Sequence, residues 1–274
     1  MHKIGFILAP LAVLAGILGF FLRRIQLETV FDPQTGLATP NAPVSLILLA
    51  LSALVIGLFF GLSFLAPKRE GADFATAFGS GVFGRTILCV FAGILVFAGG
   101  GRLVALVLTG QFALFPLLWA GAAVLGGLFL VILALLGSSG RNVAIPSAMP
   151  VFFISLWMVI LYIDHAANPV LLAYVYRLFA LGFLLLSLYY IAGFAFRQAK
   201  VGRLTFAVST AVYFTGVTFA DGGITYQNIA LAALTVTALS YLLILTHKLS
   251  LPVWDEPIFD QDEAFILEDE EIDG

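Results

Sequence analysis

The chain has 274 residues, of which 61% are hydrophobic and only 11% charged. Soluble domains carry about a quarter charged residues, so the composition excludes that class and describes an integral membrane protein. The net charge of −3 averages two unlike regions: ten of the 16 acidic residues fall between Asp255 and Asp273, and the stretch before them is basic.

Eight apolar runs reach the roughly 17–25 residues that a spanning helix needs. They lie near 4–22, 44–66, 86–109, 112–136, 147–164, 169–196, 204–220 and 223–246. The expected fold is therefore an all-α, polytopic membrane bundle of eight transmembrane helices over residues 1–250, followed by an acidic tail over 251–274. The first run is closed by Arg23-Arg24, and no small-x-small cleavage site follows it. It reads as an uncleaved helix rather than a signal peptide.

After this run the segment 25–43 carries Leu27-Glu28-Thr29-Val30-Phe31, then Asp32-Pro33-Gln34-Thr35-Gly36. Pro33 presets one turn dihedral and Gly36 supplies a left-handed residue, which fits a small β-hairpin; an unstructured connector with one turn fits equally. In the second run, Gly57 and Gly61 are four apart, as are Ala122 and Gly126, and Ala123 and Gly127, in the fourth. Such spacings let backbones approach closely and are expected to pack within the chain. Phe74 and Phe78 between the second and third runs suggest a short helix lying on the membrane surface.

The chemistry-bearing residues are few. Arg102 sits inside the third run, about 12 Å from its end, after Gly99-Gly100-Gly101, which weaken the helix locally. Arg177 lies eight residues past Pro169, an equal ~12 Å into the sixth run. A charge in hydrocarbon is costly unless it is partnered or wetted. Both arginines are flanked by small residues, with Tyr174 also on the Arg177 face. The acids available at the same membrane side are Asp164, beside His165, and Asp221. Either this set of Arg102, Arg177, Asp164, His165, Asp221 and Tyr174 only fixes helix packing, or the two guanidinium groups line an outward-facing pocket for a small anionic or polar solute. Arginine suits carboxylate or phosphate through its planar fork of donors, and Asp164–His165 would act as a proton-responsive gate. Gln227 and Asn228 lie near enough to Asp221 in sequence to join.

The Ser and Thr residues of the last two runs are expected to bond their own helix backbone. His247 and Lys248 suit the carbonyl-rich end of the eighth run. The three histidines lie in unrelated places, and Cys89 is the only cysteine, so no metal or cofactor site is expected. Zinc-binding, phosphate-cradling and nucleophile-elbow motifs are all missing, which argues against an enzyme.

Lys and Arg in the loops give nine on the side of the N-terminus against Arg23, Arg24 and marginally Arg102 on the other. Both termini are expected in the cytoplasm. The tail alternates acids with Trp254, Phe259 and Phe265. This pattern suits docking to a basic cytoplasmic protein partner or to the protein's own basic inner loops, and its sign is wrong for nucleic acid. The phrase Phe31 to Leu37 and the acid-aromatic tail resemble those of bacterial multipass proteins, a resemblance that implies the bacterial plasma membrane and no particular activity. Two functions remain in view: binding or transport of a small solute at the outer cluster, or a membrane scaffold or sensor subunit that recruits a partner through its tail.

Overall fold

A computed structural model describes residues 4–32, 37–67, 72–110, 112–167 and 170–250. The chain forms an all-α polytopic bundle of helices α1 (Ile4–Thr29), α2 (Pro43–Ser63), α3 (Phe74–Phe78), α4 (Val82–Thr109), α5 (Leu114–Leu136), α6 (Ala144–His165), α7 (Val175–Ala195), α8 (Val201–Thr218) and α9 (Tyr226–Leu249). Seven of these, all but α3 and α8, are long and apolar enough to cross a membrane.

Two helices make the centre. α9 packs against α4, α8, α7, α1 and α3, while α8 packs against α7, α1, α9 and α2. On one side α4, α5, α6 and α7 run in sequence around α9; on the other, α1 and α2 cover α8. Peripheral helices present large apolar side chains outward, among them Leu14, Leu18 and Phe21 of α1 and Phe97, Val104 and Leu108 of α4. Those faces suit lipid. In lipid, helices associate chiefly through close packing and interhelical hydrogen bonds.

The hydroxyl-rich composition of α8 follows from its place. Fourteen of its 18 residues are buried, so the helix meets protein on nearly every face and does not need an apolar exterior. Arg203, Thr205, Ser209, Thr210, Thr215 and Thr218 lower its hydropathy below that of the seven spans. Thr205, Thr210 and Thr218 return their hydroxyls to the carbonyls of Val201, Phe206 and Phe214, as expected of membrane Ser and Thr. Two others reach across: Thr215 and Thr235 of α9 share a hydrogen bond of 2.9 Å, and Tyr213 Oη shares one of 2.9 Å with Ser52 of α2.

Glycines set the closest contacts. At the α1–α8 crossing, a Cβ on Gly216 would lie 2.8 Å from the Gly16 Cα. Gly127 abuts the α4 backbone at Val96 and Ala92, and Gly126 the Phe153 side chain of α6, so the fourth-run spacing packs within the chain as expected. Gly57 and Gly61 do not: nothing lies within 4 Å of a Cβ at either, and the stripe faces outward.

Three further expectations are corrected. α1 does not stop at Arg23-Arg24 but continues to Thr29, held by an Arg24–Glu28 pair at 3.1 Å and a Thr29 hydroxyl bond to Ile25 O. Leu27, Glu28 and Thr29 are thus helical rather than a first strand. What survives of the hairpin among the described residues is one isolated antiparallel bridge, Phe31 to Ala38, and its turn lies outside them. α3 does not lie on the surface. Asp73 caps its start by accepting from Thr76 N, and Phe74 and Phe78 plug the bundle, 6.1 and 5.2 Å from the Tyr241 ring, with Phe78 also 4.8 Å from Phe194. Finally, Gly99-Gly100-Gly101 leave α4 unbroken; Gly99 admits α5 at Ala120 and Val124, and Gly101 admits the Tyr226 ring of α9.

Candidate functional site

The polar residues converge where α1 ends and α9 begins, and their hub is Arg23. Its side chain is 0% exposed. α1 continues for more than a turn beyond Arg23, whose place round the helix faces inward, while Arg24, the next position, pairs with Glu28 at the surface. Arg23 Nε donates to Asp221 Oδ1 at 2.6 Å, Nη1 to Gln26 Oε1 at 2.7 Å, and Nη2 to the carbonyls of Leu172 and Ala173 at 3.0 and 3.4 Å. The Tyr176 ring covers one side of the guanidinium at 4.9 Å, with Phe31 at 5.7 Å. Gln26 passes the network on to Ser45 of α2 at 2.8 Å.

The two carbonyl acceptors come from a single 3-10 turn, Leu171–Ala173, which precedes α7. That turn delays the start of α7 to Val175, so Arg177 is its third residue and not eight residues deep in a helix from Pro169. Arg177 is half-buried. It donates to Gln227 Oε1 at 3.3 Å and to Asn228 Oδ1 at 2.8 Å, both in the first turn of α9. Asn228 in turn donates to Gly223 O, and its backbone N–H is capped by the Thr225 hydroxyl at 3.2 Å. Gln227 and Asn228 thus join the cluster, as their place in the sequence suggested.

Asp221 closes the network from the α8–α9 connection, with a side chain 11% exposed. Burial pushes its carboxyl above the ordinary range, while Arg23 first, and Arg177 after it, draw it back. The two arginines therefore share one carboxylate, although only Arg23 touches it.

The remaining expected residues sit apart from this hub. Arg102 is half-buried on α4, next to Gly101, whose Cβ position is 2.7 Å from Tyr226 Cε1. Arg102 itself forms no hydrogen bond or ion pair among the described residues. Asp164 is exposed at the end of α6, and the structure brings it to neither arginine. His165 bonds Leu161 O through Nδ1 at 2.9 Å, and its ring lies 4.7 Å from that of Tyr174. Tyr174 thus belongs with His165 rather than with Arg177. Trp254, Phe259 and Phe265 lie outside the described residues.

Sequence reasoning missed Arg23 and its partner Gln26. A signal was present: Glu28 follows Arg24 by four positions, a spacing that continues a helix, and Gln26 follows Arg23 by three on another face. No family model matches the chain, and it matches neither a curated protein nor a solved structure.

Proposed function

We propose that this multipass membrane protein is non-enzymatic and binds a small anionic solute through Arg102 of α4 and Arg177 of α7. One observation carries the reading. Arg23 engages Asp221 at 2.6 Å, Arg177 is drawn to the same carboxylate without touching it, and Arg102 is left without a hydrogen bond or ion pair among the described residues. The start of α9 adds the partial positive charge of a helix N-terminus. Arg102 offers five N–H donors with no protein acceptor among the described residues. A carboxylate or phosphate would meet those donors through charge-assisted, bidentate hydrogen bonds. The Arg23–Asp221 pair is a fixed wall behind this site. The sequence carries no catalytic motif, which supports binding or transport rather than chemistry.

The setting proposed is the bacterial plasma membrane with both termini cytoplasmic. The burial of Arg23 supports that orientation, since it removes one cation from the outer-loop count that opposed it.

The test uses purified protein in detergent, with acetate and inorganic phosphate as probes. A bound anion raises the melting temperature by mass action. At least one probe is expected to stabilise the wild type and to have no effect on Arg102→Gln or Arg177→Gln. Equal responses of all three proteins, or no response of the wild type to either probe, would overturn the proposal.

A second reading is favoured by one fact: all three nitrogens of the Arg23 guanidinium donate to protein acceptors. On that reading the cluster fastens helices together, and the chain is a scaffold or sensor subunit whose acidic tail recruits a basic cytoplasmic protein. Loss of cellular function on deleting residues 251–274, with both arginine substitutions silent, would select it.

A further inference from the structure

At the opposite end of the bundle, the start of α4 and the last turn of α9 enclose a cavity of about 480 Å³. Its two halves differ in chemistry. Ser80, Gly81, His247 and Lys248 form a polar, cationic rim, and no carboxylate lines it among the described residues. Phe83, Ile87 and Ile244 form an apolar wall that runs along the two helices. Phe83 is 80% exposed, so this wall opens sideways off the bundle and not into its interior.

The rim has more unmatched positive charge than its side chains alone supply. α4 is 28 residues long, and its N-cap is Gly81, so no side chain caps its first turn. Its leading N–H groups therefore carry the positive end of a long helix dipole. One turn into α4, outside the cavity lining, Arg85 is a further cation of this end, its Nε buried without a hydrogen-bond partner among the described residues. Arg141, Arg197, Lys200 and Arg203 lie in the connections and helix starts of the same end. A cationic rim above an apolar wall, at the end of spanning helices, matches a molecule with an anionic head and a hydrocarbon chain.

We propose that this cavity seats the headgroup of an anionic phospholipid. The phosphate lies between Lys248, His247 and the uncapped start of α4. The first methylenes of an acyl chain lie against Ile87 and Ile244. A free phosphate would leave the apolar wall unused, and a zwitterionic headgroup would bring its own cation to a rim already cationic. Basic pockets between helices are the general form of anionic-lipid sites on the cytoplasmic leaflet.

The full chain in dodecyl maltoside is titrated with phosphatidylglycerol and, separately, phosphatidylcholine, and bound lipid is counted by native mass spectrometry. The proposal expects phosphatidylglycerol to bind at least about fivefold more tightly, the scale of one cation near an anionic headgroup. Lys248→Met with His247→Leu should bring the two lipids level. Arg141→Met, an exposed cation of the same end that does not line the cavity, should leave the preference intact. Inorganic phosphate at the same concentration should not displace the lipid. Equal binding of both lipids by the wild type would overturn the proposal. So would an equal loss in Arg141→Met, which would mean general surface charge, or displacement by phosphate, which would mean a site for the free ion. A preference seen only after residues 251–274 are deleted would assign the rim to the acidic tail and overturn it too.

Discussion

Arg23 shows how one charge is accommodated at the end of an apolar helix. Its guanidinium has no water contact, and its energy depends on Asp221, Gln26 and two carbonyls that were desolvated with it. Removing one member of such a pair leaves the other buried and uncompensated, at a cost of about 3–5 kcal/mol, whereas replacing both by apolar groups is often tolerated. Arg23→Ala is therefore expected to lose that much stability in chemical unfolding from detergent. Arg23→Met combined with Asp221→Leu should lose markedly less, and equal losses would show that the pair is not the unit that matters. The pH dependence has a definite sign. Burial raises the Asp221 carboxyl in the folded state, so the folded chain holds that proton more tightly than the unfolded chain. Its contribution to stability is full below the unfolded carboxyl value of about 3.9 and is lost as pH rises through the folded one. Melting temperatures measured upward from about pH 4 should fall over that window in the wild type and not in Asp221→Asn.

Among elements, α8 shows most clearly what composition conceals. α8 was legible as an apolar run like the others, but the outer helices are apolar because they face lipid, whereas α8 and α9 are apolar because they face protein. α8 has almost no face toward lipid, so its sequence answers to its neighbours: small residues where α1 crosses, and hydroxyls where α2 and α9 offer partners. The same reasoning separates glycines that look alike in sequence. Gly216→Ala would drive a Cβ to 2.8 Å from backbone that cannot yield as a side chain could, so a loss of about 1–3 kcal/mol is expected. Gly57→Ala, with nothing within 4 Å, should change stability by less than about 0.5 kcal/mol. Reduced unfolding free energy in both, or in neither, would show that the α1–α8 crossing is looser than this geometry. The candidate site was half legible for a related reason. Arg177, Gln227 and Asn228 are close because α7 and α9 each start at the same end, and the apolar runs already implied that. Arg23 was hidden because an arginine pair after an apolar run usually marks water. Its true partner, Asp221, lies 198 positions away, beyond anything local spacing reports.

For the whole molecule, the open choice between seven and eight crossings rests on α8, and the two ends of the bundle then take on different work. With α8 crossing, the α7–α8 connection and the α9 C-terminus share a side, and in the proposed orientation, with both termini cytoplasmic, the cationic rim faces the leaflet that carries anionic lipid. The arginine cluster then faces the opposite compartment, where a solute would reach it. If α8 does not cross, the α8–α9 connection, with Asp221, would fall on the same side as the α7–α8 connection. That is hard to reconcile with the 2.6 Å contact between Asp221 and the far end of α1. Single cysteines distinguish the two arrangements. In a Cys89→Ser background, Gly222→Cys and Gln198→Cys each place a thiol in an exposed connection at one end of α8. A membrane-impermeant maleimide added to intact cells is expected to label Gly222→Cys at once and Gln198→Cys only after permeabilisation. Labelling of both from the same side would reduce the count to seven, and the reverse pattern would keep eight but invert the chain, carrying the anion site to the cytoplasm.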